Sequence, residues 1–218
     1  MTTIRHHPDD ELLLGLAAGR LPTGTALVVA AHVEQCAHCR SQMRDLEAVG
    51  GVLLEDVEGA ELRPDALVRT MAMIDAPSKP TSTRVVAGPP PLPVGAQWPK
   101  ALAGCVATRW RWIGPGMRWS RITVPWDPSA NMFLLRIAPG KYLPQHTHSE
   151  LELTQVLYGN FHDGRAPFGA GDFDAADPTV HHQPVVQDGC ECICLASVQG
   201  RVLFDGFIAR QLGALVGM

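Results

Sequence analysis

The sequence predicts an α+β protein of two unlike parts, an N-terminal four-helix unit followed by a C-terminal all-β sandwich or barrel. Three observations carry this. Residues 77–99 hold seven prolines in 23 positions, a stretch that can keep neither a helix nor a central strand because proline fixes φ and lacks a donor. Ahead of it the apolar residues recur at helical spacing between caps. Behind it the apolar segments are short, alternating or β-branched, and bounded by Gly, Pro and Asp. The expected organisation is a helical domain over 1–76, a linker over 77–99 and a β domain over 100–218.

Asp9 or Asp10 caps a first helix through Leu12, Leu13, Leu14 and Leu16 that ends near Gly19. Thr23 or Thr25 starts a second, TALVVAAHVEQC. A third runs from about Arg40 to Val49 and stops at Gly50-Gly51, and Pro64 suits the first turn of a fourth, PDALVRTMAMID. Short connections imply a compact bundle. At this size it is marginal by itself, and a structural metal would help it. The segments RWRWIG, NMFLLRIA, ELTQVLYG and CECICLASV read as strands. Arg109, Arg111, Arg118 and Arg121 interleave with Trp110, Trp112 and Trp119, which suits a hairpin around Gly114-Pro115-Gly116 with Trp packed and Arg solvated. His162 falls in a loop.

Composition narrows the function classes. With 46% hydrophobic and 18% charged residues the chain is not wholly disordered. A net charge of −4 and a pI near 6.1 give no electrostatic case for direct nucleic-acid binding. No apolar stretch approaches the roughly 20 residues that span a bilayer, and the start has no signal-peptide core, so a cytoplasmic protein is expected. There structural disulfides are rare, and 6 Cys beside 9 His point to metal or redox chemistry. Charge is unevenly divided: residues 1–76 carry 6 Lys/Arg against 12 Asp/Glu, a net of −6, and the remainder a net of +2.

The segment His32-Val-Glu-Gln-Cys36-Ala-His38-Cys39 places His32 and Cys36 one helical turn apart on a shared face. Cys39 follows where the chain can curl back to the same point. Three such ligands suit tetrahedral Zn²⁺, and His6 or His7 is available as the fourth. His38 faces elsewhere. In the second half, His146 and His148 are two apart and share one face of a strand, and Glu152 keeps that parity if the strand continues. The segment from Gly171-Asp172-Phe173 to His181-His182-Gln183-Pro184 supplies another imidazole, and alternation alone does not separate His181 from His182. Glu150 is a weaker substitute for Glu152. Three imidazoles and a carboxylate suit one divalent metal, with zinc ahead of Mn, Fe or Ni. Cys190, Cys192 and Cys194 alternate along a strand and read as core thiols more readily than as oxidant sensors.

An N-terminal His followed by HxxxCxxC at a helix end, in an acidic helical unit, resembles the zinc-containing anti-sigma domain. The run Gly140-x5-His146-x-His148-x3-Glu152-x6-Gly159 resembles the first cupin motif, and Gly171 to His182 resembles the second more loosely. Together they resemble zinc anti-sigma factors that carry a C-terminal cupin, along nearly the whole chain. The resemblance implies zinc on His7, His32, Cys36 and Cys39, with His6 in reserve. It implies a cupin metal on His146, His148, Glu152 and His182, in a small jelly-roll barrel. It further implies a regulatory protein without catalytic residues. Such a protein holds an extracytoplasmic-function, sigma-E-type factor inactive, one to one, and releases it under singlet oxygen or organic peroxide stress through the cupin. The acidic helical unit complements a basic partner, and Leu67, Val68, Met71, Met73 and Ile74 offer either groove anchors or an ordinary core face. The competing expectation is a metal-dependent cupin oxygenase with a helical regulatory domain, against which stands the lack of a separate acid, base or substrate clamp.

Overall fold

The computed structural model describes residues 3–76 and 89–205. Four helices come first: α1 (Asp10–Ala17), α2 (Thr23–Gln35), α3 (Ala37–Glu55) and α4 (Ala66–Asp75). After a single 3-10 turn at Lys100–Leu102 come twelve strands. They are β1 (Val106–Ala107), β2 (Arg111–Gly114), β3 (Met117–Thr123), β4 (Met132–Ile137), β5 (His146–His148) and β6 (Glu152–Tyr158), then β7 (Asn160–His162), β8 (Pro167–Gly169), β9 (Phe173–Ala176), β10 (Val185–Val186), β11 (Cys192–Val198) and β12 (Val202–Phe204). The first part of the expected linker, 77–88, and the last residues of the expected β domain, 206–218, lie outside the described residues.

Asp9 caps α1, its carboxylate accepting from the Leu12 amide at 2.8 Å. Cys36 leaves the helical region (φ −97°, ψ 112°), so it ends α2 and caps α3 at once. Cys39 therefore lies in the first turn of α3, not beyond the end of α2. Two helix bounds differ from expectation. α3 begins at Ala37 and continues through Gly50-Gly51 to Glu55, because two glycines cost only about 1 kcal/mol each in a helix whose other end is anchored; Cys39 and Met43 are buried there. Pro64 lies in the turn before α4, where Arg63 O accepts from Ala66 N and the helical bonding opens with Arg69 N to Asp65 O.

All strand pairs are antiparallel. One sheet runs β1-β3-β4-β11-β6-β9 with β2 paired to β3, and two smaller sheets run β10-β7-β8 and β12-β5. The smaller sheets cover the inner face of the large one. Phe161, Phe168 and Val186 meet Ile137, Val156 and Cys192, while Val202 and Phe204 pack with Trp119, Phe133 and Leu135. The β2–β3 hairpin forms as expected, with Trp119 buried, but Trp112 is exposed. It sits on a face of the edge hairpin that nothing among the described residues covers. His162 closes β7 instead of lying in a loop.

The outer face of the large sheet is covered by the helices. Leu12, Leu13, Val28, Val29 and Ala31 share one core with Met132, Leu134, Leu153, Leu157, Ile193 and Leu195. α1–α3 therefore do not close a bundle of their own. A unit this small cannot bury enough surface alone, and it takes the sheet as its missing wall. Approach is close enough at Gly24 that a Cβ there would lie 2.5 Å from Ser197 Oγ. Polar ties reinforce the contact: Gln199 Nε2 donates to Thr25 Oγ1 at 2.8 Å, and Glu34 accepts from the Lys100 and Ala101 amides. Leu92 and Trp98, in the expected linker, pack on this core as well. α4 is different. It buries no residue, and its apolar side chains stand exposed.

Candidate metal centres

At the first centre α2 delivers His32, the kink at Cys36 delivers one sulfur, and the first turn of α3 delivers Cys39. The fourth side chain is His7, from the segment before α1. His7 Nδ1 lies 3.4 Å from Cys36 Sγ, Cys39 Sγ and His32 Nε2, and Cys39 Sγ lies 3.3 Å from His32 Nε2. Bonds of about 2.0–2.3 Å to a tetrahedral centre separate ligand atoms by about 3.3–3.8 Å, so this donor set has the size and chemistry of a zinc site. His6 is turned away: its ring packs 4.5 Å from Phe168 and Nε2 is 3.1 Å from Pro167 O. His38 is exposed, its ring 5.2 Å from that of His7 and outside the cluster.

The electrostatics favour ligation. Burial lowers the His32 pKa to about 4, keeping the imidazole neutral and its lone pair free. Burial, then His38, lowers that of His7. Without a cation, burial and the hydrogen bond with Cys36 push the Cys39 thiol up to about 12. A metal ion reverses this, since the thiolate is the ligand form, and the amide of Cys39, 3.5 Å from Cys36 Sγ at the α3 N-terminus, also favours it.

The second centre lies at the mouth of the sandwich. β5 carries His146 and His148 on one face, as alternation requires. The strand does not continue to Glu152: a turn at 149–151 intervenes, and the carboxylate comes from the first residue of β6. His182 is brought in by reciprocal backbone hydrogen bonds with His146, at 3.1 and 3.0 Å. His182 Nε2 is then 3.1 Å from His146 Nε2 and 3.3 Å from His148 Nε2, which is 2.9 Å from Glu152 Oε2. His146 Nδ1 donates to Pro144 O at 2.8 Å, leaving Nε2 as a bare acceptor aimed at other ring nitrogens. Burial lowers the His146 pKa to about 4. At Glu152 burial raises the pKa, but the hydrogen bond and charge of His148, with His146 and His182, outweigh it and the net shift is down. Converging lone pairs with an ionised carboxylate, all buried, form a ready cation site. His181 points outward to Asp205, at 2.9 Å, and Glu150 is exposed.

Behind His182 is a charge group, its two carboxylates buried and its arginine exposed, that the sequence reading missed. Asp163 Oδ2 is 3.6 Å from His182 Nδ1, and Arg165 pairs with both Asp163 and Asp174. Beside the cluster is a cavity of about 40 Å³, lined by Leu135, Leu143, Phe161, Cys192 and Cys194 among others. Of the three alternating cysteines, Cys192 and Cys194 face this cavity with their sulfurs 3.6 Å apart, and Cys190 lies in the turn before β11. The hydrogen bond with Cys192, then burial, pushes the Cys194 thiol well up. Two further residues escaped the sequence reading, Gln155 and Asp172, both on the cupin side of the first centre. Their signals were faint: Gln155 is a lone polar residue at an apolar position of ELTQVLYG, and Asp172 follows the turn glycine Gly171.

A jelly-roll sandwich with three His and one Glu at its mouth, fused to a helical His/Cys centre, defines the chain as a cupin-bearing two-part protein. Residues 100–200 match the family model described as the ChrR cupin-like domain. The anti-sigma-E factor ChrR of Cereibacter sphaeroides is 38% identical over 209 residues, covering 95% of this chain and 96% of that protein. The crystal structure of Rhodobacter sphaeroides SigE in complex with the anti-sigma ChrR matches with a TM-score of 0.75 and 38% identity, over 90% of this chain and 100% of that chain. The chain belongs to the ChrR family. Among the described residues no helix is long and apolar enough to cross a membrane.

Proposed function

We propose that this chain is a cytoplasmic anti-sigma factor that holds a sigma-E-type factor one to one and releases it, through the cupin, under singlet oxygen or organic peroxide stress. One observation carries the binding half. α4 exposes Leu67, Val68, Met71, Met73 and Ile74, and the end of α3 exposes Val52, Leu53 and Leu54, in a unit of net charge −6. Eight large apolar side chains left exposed on these two helices mark a protein interface, and the acidic balance selects a basic partner. The relative's recorded complex with SigE supports the same reading.

In this reading His7, His32, Cys36 and Cys39 hold a structural zinc, which when bound cross-links the segment before α1 to the α2–α3 junction. The zinc-tied α1–α3 unit, seated on the sheet, then carries the exposed end of α3 and α4 to the partner, and bound helices deny the sigma factor its polymerase surfaces. His146, His148, Glu152 and His182 hold a divalent metal, with zinc first among the candidates. The division into 1–76, 77–99 and 100–218 separates partner binding from response. The cavity beside the second centre, lined by His146, Glu152, His182, Cys192 and Cys194 among others, places the metal ligands and two thiols around one space where a small oxidant could meet them. Release requires that the signal lower the free energy of the unbound state relative to the bound one.

Co-expression with a sigma-E-type factor from the same organism tests the proposal. The expected result is a stable 1:1 complex that blocks transcription in vitro and is lost in Cys36→Ser, Cys39→Ser. Free protein that consumes O₂ with a small substrate would overturn it.

A further inference from the structure

The first centre is supported in part by the cupin sheet. His32 Nδ1 is 3.0 Å from Gln155 Oε1, and both residues have no exposed surface. Gln155 Nε2 donates to Val156 O at 3.3 Å, which turns the carboxamide oxygen toward the imidazole. The donor on His32 is therefore Nδ1–H, and its Nε2 is left bare toward Cys39 and His7. On β6, Leu153, Gln155 and Leu157 face α2, while Glu152, Thr154 and Val156 face the barrel interior. Gln155 thus occupies a core position where a leucine would satisfy packing alone. A buried carboxamide there costs stability unless it is hydrogen-bonded, and its oxygen is spent on His32. A second tie reaches His7: Asp172 Oδ1 accepts from the Arg5 and His6 amides at 2.6 and 3.0 Å, and Phe173 N donates to His6 O at 3.1 Å. Gly171 permits the approach, with φ 96° and a position where a Cβ would lie 2.7 Å from Ile4.

We infer that Gln155 is a positioning residue of the zinc centre: it holds His32 in the tautomer and orientation that present Nε2, so the helical unit's affinity for zinc is set in part from cupin strand β6. That strand carries Glu152 of the other centre three residues away, on its opposite face. The inference rests on the zinc reading above and deepens it. It gives the two centres a shared wall through which the state of the barrel reaches the zinc.

The test uses the full chain with Gln155→Met, which keeps volume and removes the acceptor, and Gln155→Glu, which restores one. Zinc affinity is measured by competition with a chromophoric chelator, and ligand geometry by the d–d bands of the Co²⁺-substituted centre. The Met chain should bind zinc about 10–100-fold more weakly, with altered cobalt bands, and the Glu chain should match or exceed the parent. A folded Met chain with parental affinity and an unchanged cobalt spectrum overturns the inference. If the Met chain does not fold, the Glu chain decides: retention supports the inference, and a tenfold loss overturns it. Parental zinc that survives Cys36→Ser, Cys39→Ser would instead sink the zinc reading itself, and the inference with it.

Discussion

Adjacent histidines at the start of the chain have opposite environments. His7 enters the sulfur cluster, while His6 is spent on Phe168 and Pro167. His7→Ala should therefore strip one zinc per chain under mild chelation, measured by elemental analysis. His6→Ala should keep the zinc and cost only about 1 kcal/mol in docking of the N-terminal segment. Nearly equal zinc loss from both would overturn the assignment. At the second centre, His146→Ala with Glu152→Ala should lower the metal content by one per chain and leave the sulfur-bound zinc in place; unchanged stoichiometry would count against that site. Side chains converging on each centre were legible at short range, because HxxxC fixes one helical face and HxH one strand face. Choosing His7 over His6 or His182 over His181 needed either family resemblance or coordinates. Each depends on which neighbour a ring meets across the fold, and no local period encodes that.

Elements were legible wherever periodicity and caps agreed, as at Asp9 for α1 and along ELTQVLYG for β6. They were misread where a local breaker met a tertiary anchor, as at Gly50-Gly51. An added Cβ at either glycine meets nothing within 4 Å. Gly50→Ala with Gly51→Ala should therefore stabilise the distal half of α3 by about 1–2 kcal/mol in total, read as slower amide exchange over residues 46–55. α4 was ambiguous for a different reason: an amphipathic pattern specifies an apolar face but not whether the cover is the protein's own core or a partner. Since α4 buries nothing among the described residues, Leu67→Glu with Met71→Glu should leave the free protein's stability within about 0.5 kcal/mol. The same pair should weaken sigma binding at least 100-fold, measured by calorimetric titration. A large loss of stability without loss of binding would return α4 to the role of a core helix.

At the scale of the molecule the two halves are chemically distinct yet share one core, a relation invisible in sequence because it joins residues more than a hundred positions apart. His32 and Gln155, or Arg5 and Asp172, are such pairs. The physical origin is size: α1–α3 cannot bury their own apolar faces alone, and with Leu92 and Trp98 they cover the outer face of the large sheet. Leu153, with 1% exposure, stands in that shared layer. Both halves should then unfold together, and two probes weight them differently. Four of the five tryptophans, Trp110, Trp112, Trp119 and Trp126, lie in the β half, whereas ellipticity at 222 nm reports mainly α1–α4. In the metal-loaded full chain the two melting curves should coincide. Leu153→Ala should cost about 2–5 kcal/mol, moving both midpoints down by about 5–15 °C. If the tryptophan signal shifts while the helical signal stays in place, the halves are independent, and no signal at the barrel could reach the helices through their packing.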